Sequence, residues 1–400
     1  VKSAGADFKV KRLDQHAAMV GPELLKGQNQ TLEGGNIDGI GQKRLQNDVA
    51  GLLYGGGKKA AIILKRQDDS ETSRLHRERR QGLIPMLMRV MMPEASREIY
   101  VQIKSRLTLS FLKVLSWLPL GLARRVGRVL GLLCWHLQTR MQQTTATNLT
   151  LCFPALDDSA RERLGRRSLQ STLQTIMEAG AAWLWPAHRT LALIQRVDNL
   201  ALLERAKAAG NGVIVLAPHL GNWEILGLYL NACGLGQSYQ LYQAPADPRL
   251  DALIHRGRSR AGATMVATGN KGVAELLRAL RAGNIAGILP DQVPDAGGGE
   301  YAPFFGVPAL TMTLLPRLQQ KTGAAIVLAF AKRVDSGEGP GFELVFSDPD
   351  PGIYAGDMTE ALAAMNRSIE ALIKLAPEQY QWEYKRFRRQ PEGLPRVYQA

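Results

Sequence analysis

The chain is poor in cysteine, with three in 400 residues, at positions 134, 152 and 233. An odd and widely spaced set excludes a disulfide framework and a cysteine metal site, and fits reduced thiols in a cytosol-facing protein. Aromatic residues are also few, at 6 Trp, 10 Tyr and 9 Phe. With no RNP-like run and no zinc-finger spacing, a nucleic-acid module has only charge to recommend it. Acidic residues are short as well, Asp+Glu 36 against Lys+Arg 50, which leaves a net charge of +14. That surplus favours an anionic partner, either nucleic acid or an anionic membrane face.

Two catalytic signatures are missing. No Gly-x-Ser-x-Gly elbow occurs, which argues against the common serine hydrolase. Gly297-Gly-Gly299 is not followed by Lys and a hydroxyl residue, so it is no phosphate loop. It reads instead as a mobile loop beside a site.

Residues 1–100 differ from the rest. Gly34-Gly35, Gly55-Gly-Gly57 and the basic run Arg77-Glu-Arg-Arg80 interrupt every apolar period. This stretch is expected to be disordered or a non-native extension, with the biological start near Met86 to Met92. No signal peptide is evident.

Residues 101–145 are expected to associate with membrane. Leu107 to Leu137 is the most apolar region and divides at Pro119. Its first part is short and carries Lys113, which makes it a poor span. In its second part Val126, Val129, Leu130, Leu133 and Leu137 recur at helical spacing, with Arg124, Arg125 and Arg128 opposite. Such a helix can lie in a lipid interface, and the same pattern also serves a core helix with a solvated basic side.

Residues 146–398 read as an α/β domain. A long helix capped near Asp157 to Ser159 runs to about Trp183. Strand-like segments at 212–217, 238–243, 264–267 and 285–289 alternate with helices at 222–235, 248–261 and 271–282. A helix at 311–321, strands at 324–332 and 342–346 and a helix at 358–375 follow. The expected fold is a mainly parallel sheet with helices on both faces. In such sheets ligands bind beyond the carboxyl ends of strands. His219, Gln243 and Asp291 each follow a strand at that edge, and Arg258 lies on the next helix.

Of six histidines, only His219 sits at a strand-to-helix junction with a carboxylate five residues on, in His219-x-x-x-x-Glu224. A neutral imidazole there can take a proton from a hydroxyl, with Glu224 expected to hold the other ring nitrogen. The chain offers no nucleophile of its own, so the attacking hydroxyl or amine belongs to the substrate. Two bland readings compete: His219 as a capping or core histidine, and Arg256, Arg258 and Arg260 as a solvated basic face. Pro303 to Ala309 either lines an acyl pocket or is ordinary core, and Phe304, Phe305 or Met312 could set an acyl-length preference.

The ordered set of motifs resembles the bacterial lipid A late acyltransferases, within the lysophospholipid acyltransferase superfamily. It comprises Asn148-Leu-x-x-Cys-Phe-Pro154, Glu178 with Trp183-x-Trp-Pro186, His219-Leu-Gly-Asn-Trp-Glu224, Arg258, Pro290-Asp291-Gln292 and Phe304-Phe-Gly-x-Pro-Ala309. Pro377-Glu-Gln-Tyr-x-Trp382, Arg386-Phe387 and Arg389-x-Pro-Glu-Gly393 complete it. The resemblance implies an enzyme on the cytoplasmic face of the bacterial inner membrane. Such an enzyme transfers a fatty acyl chain from acyl carrier protein to a hydroxyl of a lipid A precursor, without metal or bound cofactor. It implies His219 as base and Glu224 as its partner. Arg258 and Asp291 would shape the site or steady the acceptor's charged head group, with Asn222 and Gln292 also binding substrate. The alternatives are another glycolipid or aminolipid acceptor on the same fold, a hydrolase, and a non-catalytic basic membrane-binding protein.

Overall fold

The computed structural model describes residues 94–398 apart from residue 296, and the expectations for the amino-terminal stretch before Glu94 lie outside the described residues. Four helices come first. Helix α1 (Glu94–Trp117) and helix α2 (Leu120–His136) are separated at Pro119, which lacks the N–H that would continue α1. Helix α3 (Arg140–Cys152) is capped by Thr139. Helix α4 (Asp158–Leu184) is capped by Asp157, whose carboxylate accepts from the Ala160 N–H, and it stops before Pro186.

Helix α2 lies directly on α4 because two glycines face it. A Cβ at Gly131 would fall 2.4 Å from the Gln170 Cα, and one at Gly127 would fall 2.7 Å from the Gln174 Cα. This crossing turns the apolar stripe outward. Val129, Leu133 and Leu137 are exposed, as are Leu107, Phe111 and Trp117 of α1. The core-helix reading of that stripe is therefore not what the structure adopts. The expected basic face also needs correction. Arg124 is fully buried, because it stands at i relative to Gly127 and Gly131 at i+3 and i+7 and so shares their inward face. Arg125 and Arg128 are exposed. Among the described residues no helix is long and apolar enough to cross a membrane.

From Ala187 the chain alternates. Helix α5 (Ala187–Leu191), strand β1 (Ile194–Asp198) and helix α6 (Leu200–Ala208) lead into β2 (Val213–Leu216), α7 (Trp223–Ala232), β3 (Ser238–Tyr242) and α8 (Pro248–Ser259). Then come β4 (Thr264–Ala267), α9 (Asn270–Arg281), β5 (Ile285–Ile288), the strands β6 (Gly299–Phe304) and β7 (Val307–Met312), and α10 (Leu314–Thr322). The chain continues through β8 (Ala325–Ser336), β9 (Gly339–Ser347) and α11 (Met358–Leu375). Seven strands form one sheet in the order β1-β9-β8-β2-β5-β3-β4. The five from β8 to β4 are mutually parallel, whereas β9 runs antiparallel to β8 and β1 parallel to β9.

The sheet carries a core on each face. Along β2, Ile214 and Leu216 join one core with Leu276 of α9, Leu315 of α10 and Ile369 of α11. Val213 and Val215 join the other with Leu203 of α6 and Ile225, Leu226 and Leu230 of α7. A strand buried on both faces explains its unbroken apolar run.

Two expectations fail between residues 297 and 321. Gly297-Gly-Gly299 does not remain a loop throughout, because Gly299 opens the antiparallel pair β6–β7. A Cβ there would lie 2.5 Å from Pro294 Cγ and 2.6 Å from the Thr311 carbonyl oxygen, so only glycine fits. The helix expected from residue 311 begins at Leu314 instead, since Val307 to Met312 are paired. Phe305 and Gly306 turn the hairpin with φ of 48° and 77°. Phe304 is buried core, packed against the rings of Phe305, Tyr380 and Phe387, so the core reading of this stretch holds.

Candidate active site

Strands β2 and β5 are parallel neighbours, with Leu216 in register with Ile288. His219 and Asp291 each stand three residues beyond that pair, so equal offsets bring them together. His219 Nδ1 lies 2.8 Å from Asp291 Oδ1, and Asp291 Oδ2 accepts the His219 backbone N–H at 2.9 Å. Asp291 is 2 % exposed. Burial alone would raise its carboxyl, but the His219 ring and backbone N–H outweigh that and hold it below the usual carboxylate range. A carboxylate only accepts, so Nδ1 carries a proton, and in the neutral ring Nε2 is the acceptor. The Gln292 amide nitrogen sits 3.2 Å from Nε2 and donates to Gln381 Oε1 at 3.1 Å. Trp223 packs its ring edge-on to the imidazole, 4.9 Å between centroids.

Glu224 does not hold the histidine ring, which corrects the expected pairing. The first turn of α7 carries it to α8, where Arg258 Nε donates to Oε2 at 2.8 Å and Nη2 to Oε1 at 2.5 Å. Burial would raise the Glu224 carboxyl, and the Arg258 guanidinium outweighs it and keeps it ionised. Arg258 is thus engaged by Glu224. Arg260 donates to the Ala182 and Gly257 carbonyls, and Arg256 to that of Ala252, so the three arginines form no anion cradle.

Asn222, expected to bind substrate, has an internal task. Its side-chain oxygen caps α7 by accepting the Ile225 N–H, and its amide donates to Glu178 Oε2 at 2.8 Å. Glu178, 1 % exposed, also accepts from Arg124 Nε at 2.6 Å and Arg333 Nε at 2.8 Å. One buried carboxylate therefore ties α2, α4, β8 and the loop after His219.

The segment after α11 backs the histidine loop. Gln381 N–H donates to the His219 carbonyl at 3.1 Å, Gly221 N–H to the Gln379 carbonyl at 3.0 Å, and Leu220 bridges to Tyr380. Gly221 has φ of 64°, and a Cβ there would lie 2.0 Å from the Ala331 carbonyl oxygen. Sequence reasoning gave Gln381 and Trp223 no role. The signal for Gln381 was its place within Pro377 to Trp382, a motif quoted without a task.

Two cavities meet at His219, Trp183, Trp223, Glu224 and Gln381. One, of about 560 Å³, runs between the sheet and α7 past Val215, Leu226, Leu230, Gln240 and Gly287, with Gln243 and Arg258 also in its wall. Met312 lines it, whereas Phe304 and Phe305 do not. The other, of about 380 Å³, is bounded by Phe111, Leu112, Met141, Ile176 and Ala179, beside the exposed apolar surface of α1. Among the described residues no group of His, Cys, Asp and Glu is placed to hold a metal.

The family model for bacterial lipid A biosynthesis acyltransferases matches residues 94–389. The chain belongs to that family. It is 29 % identical over 285 residues to the lipid A biosynthesis lauroyltransferase of Escherichia coli (strain K12), a match covering 70 % of this chain and 90 % of the relative. The palmitoleoyltransferase of the same organism is 30 % identical over 287 residues, with the same coverage. Its myristoyltransferase is 25 % identical over 272 residues, covering 67 % of this chain and 80 % of the relative. The histidine, its aspartate and both cavities fall within the span matched by this acyltransferase family.

Proposed function

We propose that this acyltransferase moves a fatty acyl chain from acyl carrier protein to a hydroxyl of a lipid A precursor, with His219 as general base. The observation that carries this reading is the His219–Asp291 pair, held at the junction of two cavities. Membership of the family supplies the acceptor class, and the missing enzyme nucleophile supplies the reaction type.

In this mechanism the acceptor hydroxyl displaces the Gln292 amide from Nε2. Nε2 takes the hydroxyl proton as the oxygen attacks the thioester carbonyl carbon. The new carbon–oxygen bond gives a tetrahedral intermediate, and its collapse breaks the carbon–sulfur bond. The departing thiolate recovers the proton from the imidazolium. Asp291 holds Nδ1–H throughout and stabilises the transient cation. The steps balance without a metal or cofactor. Glu224 and Arg258 form a rigid charged wall rather than a proton relay, and Asn222 fixes the start of α7.

The exposed stripe of α1 and α2 supports seating on an anionic inner-membrane surface at the cytoplasmic face, with Arg125 and Arg128 near lipid phosphates. The test is direct. Purified protein is incubated with acyl carrier protein loaded with labelled fatty acid and a lipid A precursor, and the acylated product is sought by mass spectrometry. Product from the parent chain and none from His219→Ala is expected. Undiminished activity in that variant would overturn the mechanism.

A further inference from the structure

Gly287 stands inside strand β5, between β2 and β3, yet it is half-buried while its neighbours Ala286 and Ile288 are fully buried. The larger cavity reaches it. Gly287 is in register with Val215 on one side and Gln240 on the other, so a gap opens in the sheet face between them. Above the gap lies Gly227 of α7, a second residue without a side chain. Gln240 lines the slot beside Gly287. Its Nε2 donates to the Gly227 carbonyl at 2.8 Å and so bridges from sheet to helix. The walls leading there, Val215, Leu226 and Leu230, are apolar.

We infer that this slot is the ruler for the donor's acyl chain, with Gln240 as a polar stop and Gly287 and Gly227 as the space just before it. The inference rests on the acyl-transfer reading. A chain that stops short of Gln240 runs along Val215, Leu226 and Leu230. A longer one must break the Gln240–Gly227 hydrogen bond and leave an amide facing methylenes, which carries a desolvation penalty that the added carbon does not offset. The smaller cavity is the less suited to this task. It opens beside exposed Phe111 and Ile176, as befits chains already in a lipid layer.

The geometry provides two opposite tests. A Cβ at Gly287 would meet Gln240 Cγ at 3.7 Å, an ordinary contact, so Gly287→Ala fills the slot without displacing its neighbours. Gln240→Ala removes the stop, and the Gly227 carbonyl keeps a donor in Asn231. Saturated fatty acids of increasing length are used to displace a fluorescent fatty acid from the parent, from both variants and from Ile176→Trp in the smaller cavity. The same proteins are assayed for transfer from acyl carrier protein loaded with the same chains. Affinity is expected to rise with length and then plateau. The plateau should come at a shorter chain in Gly287→Ala and at a longer one in Gln240→Ala, with transfer preferences moving about tenfold per methylene. A plateau unmoved by both variants, or moved only by Ile176→Trp, overturns the ruler. A plateau that moves while no protein transfers acyl groups leaves the slot standing and sinks the acyl-transfer reading. Thermal melts of the variants confirm that they fold.

Discussion

Arg258 grips Glu224 through two of its nitrogens, across the gap between α8 and α7, and both groups lie largely out of water. Removing the guanidinium strands a carboxylate in the interior. Arg258→Met is expected to lower stability by about 3 kcal/mol, the lower end for a broken buried pair because Arg258 keeps a fifth of its side chain in solvent. Adding Glu224→Gln should recover most of that. Urea unfolding of the three proteins checks it, and a double variant no more stable than the single would contradict this account.

Asp291 and Glu224 have different duties, and kinetics separates them. Asp291→Asn presents Nδ1 with a group that can donate, which favours the wrong tautomer. The turnover number should fall by about four orders of magnitude with KM little changed. Glu224→Gln should lose far less turnover. Equal losses in the two variants would restore Glu224 as the ring's partner.

The paired histidine and aspartate also show what can be read from the chain before folding. That His219 and Asp291 share one edge of a sheet was legible, because each follows a short apolar run closed by proline. Their touching was not. It depends on β2 and β5 being neighbours in register, and the two strands are separated by three helices and two other strands. The spacing from His219 to Glu224 drew the eye to the nearer carboxylate, although the helix turn aims that group at Arg258. The helices α8, α9 and α11 and strands β2 to β5 were legible from their periods. Strand β1 was not, since its edge position leaves it half-exposed with a charged Arg196. The β6–β7 pair was hidden by Pro303 and Pro308, which face each other across the hairpin. The inward turn of Arg124 was written in its spacing to Gly127 and Gly131, but glycines on a helix reveal a close neighbour only when the neighbour is known.

Glu178 makes stability depend on acid. Burial would raise its carboxyl, but Arg333 and Arg124 outweigh that and hold it below the usual range. A depressed folded value means that its stabilisation is present above the unfolded value near about 4.3 and is lost as pH falls below it. Glu178→Gln should cost about 3–5 kcal/mol near neutral pH. The gap between parent and variant should narrow as the solution is taken below pH of about 4. Unfolding curves across that range test this, and a constant gap would contradict it.

The outward stripe of α2 predicts a change in partition without a change in fold. Leu133→Glu with Leu137→Glu places two charges where lipid is expected. Each buried leucine contributes about 1.5–3 kcal/mol, so binding to anionic vesicles should weaken at least about tenfold. Co-sedimentation measures it, while the melting temperature should stay near that of the parent because both residues are exposed.

The segment from Pro377 to Tyr384 closes over the histidine loop from behind, though it follows that loop by most of the domain. As the chain is made, His219 and Asp291 both leave the ribosome before Gln379, Tyr380 and Gln381 exist to brace them. A half-made molecule therefore carries the reacting pair without its clamp. The order of manufacture makes the tail after α11 the last part of the histidine loop's bracing to be added.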